Sequence, residues 1–394
     1  MQIPVQKDQI AIVVVGYNRL DSTKRLYRSI VEATYTSRNV PLIFSIDASG
    51  NQELYDWVKN VEWPFGPKYV RIQEERQGLR KHIYLCGDLT DYFKGVIILE
   101  DDILVAPDFY KYTKKVVDFY YDDDRIAGIA LFADQSNGYA QGLPNFRYND
   151  GSDAYLLQEV CTSGECFTDK MWDGFRSWMK NNPNPDPQDY YMPDSIKNWK
   201  QAWSKFYNMY LLDKDYYFLT PYLSRTTNCG DAGVHSTIDL NFLHSQMLWG
   251  VKDHYEFKRF HDAVKYDIFG NYIGLGKYLA VDEDKLCLDL YGNKPLKPTQ
   301  RYLCSLYRLP YKLIQTYGLV LEPIEMNIIK NICGEDIYVY DTHYVTKGKF
   351  NFSYTLRQLS YFMRGISFKL QLRFSILTIK SLIRSKFKRL LRYR

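Results

Sequence analysis

The sequence holds little that would place it outside a reducing compartment or through a bilayer. Its seven cysteines (86, 161, 166, 229, 287, 304 and 333) are odd in number and include no C-x-x-C pair. Neither a disulfide framework nor a structural zinc site is indicated. The opening residues, MQIPVQKD, lack the apolar core of a signal peptide. No uninterrupted apolar run approaches the ~20 residues a spanning helix needs. Internal repeats and low-complexity tracts are absent. Acidic residues stop at Asp341, after which come 13 Lys plus Arg and no Asp or Glu. The net charge of +5 therefore hides a division: 38 basic against 46 acidic residues through Asp341, then a wholly basic remainder. The expectation is a cytoplasmic protein, peripheral on the inner face of the plasma membrane, and no nucleic-acid partner.

What is present is an ordinary globular balance, 46% hydrophobic and 25% charged. At 394 residues the chain is too long for one compact core and long enough for two or three. The 36 tyrosines join an apolar ring to a polar tip, which suits sugar binding and equally suits packing. The first 130 residues alternate in type. Apolar strand patterns at 10–15, 41–46, 69–72, 96–99 and 126–131 are separated by helical ones. The helices run from an N-cap group at Asp21, Ser22 and Thr23 to about Ala33, over 52–60, over 79–93, and from Pro107 to about Tyr120. Such alternation predicts a mainly parallel sheet covered by helices. Further on, 182–187 reads as a loop and 195–212 as a helix whose Trp199, Trp203, Phe206 and Tyr210 stripe is core packing. Within 251–341 the pattern yields only short strands.

The densest chemistry lies at 96–102, where Val96, Ile97, Ile98 and Leu99 run straight into Glu100, Asp101 and Asp102. Three adjacent carboxylates at the rim of a core are costly unless a cation neutralises them. Mg2+ or Mn2+ bridging carboxylates to a phosphate-bearing ligand would do so. In an extended segment Glu100 and Asp102 point to one side and Asp101 to the other. Asp102 is the candidate metal ligand. Asp101 would reach a ribose, or the metal through water.

Ligands of parallel sheets sit beyond the carboxyl ends of the strands, and three more motifs fall at such ends. After the first strand, Gly16 permits close backbone approach, Tyr17 offers a flat face to a base, and Asn18 and Arg19 can donate to a ribose or diphosphate. After the second, Asp47 could accept the N3 hydrogen of a uracil. Before the 79–93 helix, Gly78 stands at an anion-favouring N-terminus flanked by Arg76 and Arg80. Taken singly, each motif is also an ordinary turn.

In this order the motifs resemble those of nucleotide-sugar glycosyltransferases of the GT-A fold. The stretch 97–110 is similar to that of N-acetylglucosaminyltransferase I and its relatives, and the likeness extends to bacterial family-2-like transferases that build surface polysaccharide. Residues 162–167 with Met171 and Trp172 resemble the acceptor-side segment of these enzymes. Residues 224–236 resemble the segment that closes over the nucleotide. The similarity covers about 9–240 and nothing beyond 250. It implies a UDP-sugar donor, a divalent metal on Asp102, a uracil contact at Asp47 and inversion at the anomeric carbon. The general base is where the chain departs from the pattern, because 199–203 has no carboxylate. Glu165 and Asp194 are the substitutes. His235 is a second metal candidate and Arg225 a further diphosphate candidate.

From 355 onward the chain is basic and apolar. Phe368, Leu372, Ile376, Ile379, Ile383, Phe387 and Leu390 recur at helical spacing, with Arg373, Lys380, Arg384 and Lys388 on another face. This is the pattern of an in-plane helix on an anionic membrane. The alternatives are a helix packed on the domain and, from the strict alternation over 366–376, a strand.

The expected architecture is thus α/β: a GT-A (Rossmann-like), mainly parallel sheet flanked by helices over 1–250, a C-terminal extension over 251–341, and a basic amphipathic membrane-associating tail over 342–394. The expected activity is metal-dependent, inverting transfer of a hexosyl or N-acetylhexosaminyl group. It would pass from a UDP-sugar to a hydroxyl of a glycan or lipid-linked acceptor in bacterial surface polysaccharide synthesis. A sugar-nucleotide nucleotidyltransferase would carry a Gly-rich, basic loop after the first strand, and Gly16 to Arg19 supply none. A non-catalytic carbohydrate-binding protein would have no need of all three nucleotide-site motifs.

Overall fold

Strands that read as unbroken apolar runs are strands covered on both faces, and the burial of 10–16, 42–46 and 95–99 bears this out. The computed structural model describes residues 3–138, 143–200, 202–232, 244–347 and 365–391. The chain divides into two compact units. One is Met1–Glu283 with Asn293–Pro295 and Leu321–Lys330. The other is Asp284–Gly292 with Leu296–Val320 and Asn331–Arg394. The first unit therefore runs past the 1–250 expected, and 251–341 is shared between the two.

In the first unit, β1 (Gln6–Gly16), α1 (Leu20–Val31), β2 (Leu42–Ile46), α2 (Gln52–Asn60), β3 (Lys68–Ile72), α3 (Leu79–Gly87) and β4 (Phe93–Glu100) follow one another. Then come β5 (Ile103–Val105), α4 (Phe109–Tyr120), β6 (Ile126–Ala130), β7 (Ser136–Asn137), β8 (Leu143–Pro144), β9 (Ala154–Leu157) and β10 (Glu165–Thr168). After these lie α5 (Asp169–Asn181), α6 (Asp194–Lys197), α7 (Trp203–Lys214), β11 (Tyr217–Pro221), β12 (Thr226–Asn228), β13 (Lys265–Tyr266), β14 (Tyr272–Ile273) and α8 (Gly276–Leu279). Ten strands form one sheet in the order β14-β13-β9-β11-β6-β10-β4-β1-β2-β3. Five of its nine pairings are parallel and four antiparallel. The antiparallel strand β10 is wedged between β4 and β6, pairing Glu165 with Ile98 and with Ala130.

Alternate residues of the central strands feed two cores. Ile12, Val14, Ile97 and Leu99 pack with Leu26 and Ile30 of α1 and with Phe109, Val116 and Val117 of α4. Val13, Val15, Val96 and Ile98 pack with Ile83 of α3, Trp172 and Phe175 of α5, and Trp203 and Tyr207 of α7. The result is a helix–sheet–helix sandwich. The helix expected over 195–212 is broken into α6 and α7; of its stripe Trp203 and Tyr210 are buried in the second of these cores, while Trp199 and Phe206 are partly buried against it.

The helix expected over 79–93 stops at Gly87, and a single 3-10 turn (Asp88–Asp91) leads into β4. The packing at that end is close. A Cβ on Gly87 would lie 2.2 Å from the Trp172 ring, which is 1% exposed. The α3–α5 contact needs a bare backbone there, and the chain turns away into the sheet beside Gln6 of β1.

In the second unit β15 (Leu286–Asp289), β16 (Tyr302–Ser305), β17 (Tyr311–Tyr317) and β18 (Ile337–Val345) form a sheet in the order β15-β16-β18-β17. Cys287, Leu303, Tyr338 and Tyr340 make its core. The intervening α9 (Glu325–Ile329) belongs to the first unit. The tail is helical as α10 (Phe368–Leu391), so the alternation at 366–376 does not become a strand. Its apolar groups are exposed on more than one face. At 100° per residue Leu370, Phe374 and Leu377 point away from the stripe of Phe368, Leu372, Ile376 and Ile379. Among the described residues no helix is long and apolar enough to cross a membrane.

Gly87→Ala should lower stability by about 2 kcal/mol through overpacking against Trp172. A chemical-denaturation midpoint unchanged from wild type would refute the close approach.

Candidate functional site

The carboxyl ends of β1, β2 and β4 lie side by side, with Gly16 beside Ile46 and Val15 beside Glu100. Beyond Glu100 the chain turns into β5, which pairs with β12. The Cys229 N–H donates to the Asp102 carbonyl at 2.7 Å, so the carboxylate turn is fixed to the segment that follows β12.

The three carboxylates differ in environment. Burial, and then the charges of Asp102 and Asp101, pushes the Glu100 carboxyl up to about 8. Asp101 is 4% exposed, and burial pushes it up to about 6 against the pull of Arg19. The Arg19 guanidinium donates to Asp101 Oδ1 and stands 3.1 Å from Asp102 Oδ2. Among the described residues Asp101 Oδ2 is buried with no hydrogen-bond partner. Gly16 lies beside it, and a Cβ there would press on the Ile46 side chain at 3.0 Å. One guanidinium thus faces three carboxylates.

Among the described residues no group of three or more His, Cys, Asp or Glu side chains is gathered for a metal. A hard divalent cation does not require one, because Mg2+ and Mn2+ take one or two carboxylates and complete their shells with phosphate and water. The partnerless Asp101 oxygen beside Asp102 fits that chemistry. His235 lies outside the described residues.

Asp231 extends the cluster. Its carbonyl accepts from Arg19 Nη1 at 3.3 Å. Its carboxylate accepts from Ser22 Oγ at 2.7 Å and from both terminal nitrogens of Arg25, one of them at 3.1 Å. Burial works against that charge, but Arg25 and Ser22 outweigh it and hold the carboxyl below its usual range. Sequence reasoning missed Ser22, Arg25 and Asp231 as a set. The available signal was their spacing: positions 19, 22 and 25 recur every three residues across the first turns of α1.

Asp47, expected at the uracil, is 4% exposed and already engaged. Oδ1 accepts from the N–H groups of Ala48 (2.9 Å) and Gln77 (2.8 Å), and Oδ2 from Gly78 (3.0 Å). It ties the end of β2 to the start of α3. Any base contact would use the acceptor capacity left on Oδ2. On the same strand Ser45 Oγ lies 2.8 Å from His82 Nε2 of α3. The Arg76 guanidinium lies 4.9 Å from the Tyr17 ring centre, making one exposed cation–π wall. Arg80 stacks on Phe206 at 4.1 Å. The Asn18 carbonyl accepts from Asn51 Nδ2 at 3.1 Å.

Three candidates are placed differently from the rest. Arg225 is 1% exposed, donates to Asp108 at 3.2 Å and lies 4.6 Å over the Tyr112 ring. It is a buried structural ion pair at the start of α4 rather than a diphosphate contact. Asp194 begins the four-residue α6 with its side chain 90% exposed, 3.6 Å from Lys197. No hydrogen bond or ion pair among the described residues links it to Glu100, Asp101 or Asp102. Glu165 sits on β10 beside β4, 1% exposed, with Oε1 unpartnered. Burial, then the nearby Glu100, holds its carboxyl well above the usual range. Just before it, a Cβ on Gly164 would come 2.7 Å from Thr226, and Thr226 Oγ1 donates to the Ser163 carbonyl at 2.6 Å. The acceptor-side motif is thereby pressed against β12. A groove of about 940 Å³ opens elsewhere, lined by Tyr27, Arg28, Trp57 and Trp63, and holds none of the candidate residues.

A sheet whose carboxyl edge carries an anchored glycine-led helix start and an acid–guanidinium cluster has the form of a nucleotide-binding α/β fold. No known protein family matches the chain, and no curated protein sequence matches it. Among solved structures it is similar to S. aureus TarS 1-349, with 12% identity, a TM-score of 0.36, and 55% of this chain covering 59% of that one. It is also similar to the mannosyltransferase PcManGT from Pyrobaculum calidifontis in complex with GDP-Man and Mn2+ (13%, TM-score 0.33, 56% and 58%). A third is GalNAc-T7 with UDP, GalNAc and Mn2+ (13%, TM-score 0.37, 54% and 42%). The chain thus spans about three fifths of the length of TarS 1-349. At these scores the likeness is remote, and the roles assigned below stand on the residues just described.

Burial lowers the His82 imidazole to about 4, with Asp47 pulling upward and Arg71 downward. The unfolded chain takes up this proton near pH 6.5 and the folded one only near 4. Its contribution to stability is therefore complete above pH 6.5 and is lost as pH falls toward 4, by about 3 kcal/mol. Urea midpoints at pH 7 and 4 should fall further for wild type than for His82→Gln. Equal falls would refute the buried neutral imidazole.

Proposed function

We propose that the chain is a GT-A nucleotide-sugar glycosyltransferase that uses Mn2+ or Mg2+. It moves a hexosyl or N-acetylhexosaminyl group from a UDP-sugar to a hydroxyl of a glycan or lipid-linked acceptor, with inversion, in bacterial surface polysaccharide synthesis. The observation that carries this reading is the under-neutralised Asp101–Asp102 pair at the carboxyl end of β4, beside the Asp47-anchored start of α3. Such a place suits a diphosphate that brings its own cation.

The residues take the following parts. Asp102, with the partnerless oxygen of Asp101, would hold the metal. When bound, that cation offsets charge on the departing diphosphate. The backbone N–H groups at the start of α3 and the exposed guanidinium of Arg76 add to the same offset. Tyr17 presents its ring to the base, Asn18 and Gly16 the main chain to the ribose, and Asp47 keeps the loop before α3 in place. Arg80 supports that loop through Phe206.

The acceptor oxygen attacks the anomeric carbon as the bond to the diphosphate breaks, and its proton goes to a carboxylate. Glu165 carries that assignment ahead of Asp194, because it lies on the strand next to Glu100. At 1% exposure, and with burial and Glu100 favouring its protonated form, it serves as the base once acceptor binding uncovers and ionises it. The basic, exposed apolar helix α10 suits attachment to an anionic membrane surface from the cytoplasmic side, where ~1 kcal/mol per basic residue accrues.

The protein should release UDP from at least one member of a UDP-sugar panel with Mn2+, and EDTA should abolish the release. Asp102→Ala should lower the rate by roughly 100-fold or more. No metal-dependent release with any donor and acceptor would sink the enzyme reading. Full activity in Asp102→Ala would sink the metal assignment. Glu165→Gln should cost kcat by about 100-fold or more. A loss of only a few-fold there and in Asp194→Asn would reject both bases.

A further inference from the structure

The group that occupies the metal-binding carboxylates of the free protein is Arg19. Its guanidinium spans Asp101 and Asp102, donating to Oδ1 of the one and standing 3.1 Å from Oδ2 of the other. It is not there by chance of a long side chain. Its second terminal nitrogen is fixed by the Asp231 carbonyl at 3.3 Å. Asp231 is itself clamped to α1 by Ser22 and Arg25. The side chain of Arg19 is only 22% exposed, and its backbone carbonyl accepts from Thr23 Oγ1 at 2.8 Å. The chain thus builds a dedicated seat for a planar cation on two carboxylates.

We propose that Arg19 is the resident counter-cation of this site, and that a divalent cation binds by exchange with it. The inference rests on the metal reading above and deepens it. A metal ion held by Asp102 and Asp101 Oδ2 would stand on the same two carboxylates as the guanidinium at Asp101 Oδ1 and Asp102 Oδ2, and two cations so close repel. Metal entry therefore means departure of Arg19 from the pair. Freed, the guanidinium is a planar fork of donors at the edge of the diphosphate position. Free metal binds weakly in consequence, and a ligand that brings phosphate oxygens for both the metal and the displaced arginine binds with it. Metal and nucleotide affinities are coupled by the same factor in each direction.

The test reads metal binding, not turnover. Mn2+ affinity is measured without nucleotide, by calorimetry and by the loss of the free-Mn2+ electron paramagnetic resonance signal, for wild type, Arg19→Gln, Arg19→Lys and Asp102→Ala. Equal thermal unfolding profiles select folded variants. Arg19→Gln should bind Mn2+ about tenfold tighter than wild type. Nη2 alone makes both carboxylate contacts, so Arg19→Lys keeps the charge but loses the Nη1 bond to the Asp231 carbonyl, and it should fall between wild type and Arg19→Gln. Asp102→Ala should lose the site. Were Arg19→Lys to bind as wild type while Arg19→Gln tightened, net charge alone would account for the effect and exchange would be overturned. Unchanged affinity in Arg19→Gln would overturn exchange and leave the metal reading standing. No Mn2+ binding by any form at millimolar concentration would overturn both.

Discussion

Three carboxylates at the end of a buried strand, with one guanidinium to neutralise them, form the constraint to which the rest of this molecule answers. A charge shortfall at the rim of a core raises the cost of folding unless it is confined to a place where a ligand removes it. The surroundings confine it. Asp101 is buried beside Gly16, the main chain of Cys229 after β12 holds the turn, and Arg19 reaches the two aspartates from the adjacent strand end. The shortfall is stored at a functional edge while the strand behind it, from Val96 to Leu99, is covered by helices on both faces.

Much of the first unit was legible because its signals are local. Apolar runs of strand length and helical stripes place β2, α2, β3 and α4 within a residue or two, whereas β1 and β4 begin four and three residues before the expected bounds and α1 starts at Leu20, ahead of the cap group read at Asp21 to Thr23. The parts that were not legible depend on partners far away in sequence. The close approach that Gly87 permits at the end of α3 is to Trp172, 85 positions on. The wedge of β10 between β4 and β6 cannot be read from four residues. The tail misled in another way: its spacing carries an apolar stripe at helical period, but intervening Leu370, Phe374 and Leu377 spoil the opposite face.

The candidate site divides along the same line. The carboxylate triplet and the glycine-led helix start were readable, because a charge run after an apolar run is visible in one dimension. Partner choice was not. Arg19 and Arg225 look alike as arginines flanking a motif, yet one spans the carboxylate pair and the other is sealed beneath Tyr112 with Asp108. Asp47 looked like a ligand contact and proved to be gripped by main-chain donors. Ser22, Arg25 and Asp231 stand in two segments some 200 positions apart, and nothing in either announces the other.

The grip of Asp47 has a consequence for how such a site could change over time. It holds the N–H groups of Gln77 and Gly78; at 77 any residue other than proline supplies one, while Gly78, at φ +71°, takes a conformation that favours glycine, and no side chain of the loop is bound by it. The frame of the α3 start is thus indifferent to what is written at 74 to 77. Substitutions there would redecorate the rim facing a ligand while leaving the scaffold where it is. A single buried carboxylate thereby separates the evolution of selectivity from the evolution of stability.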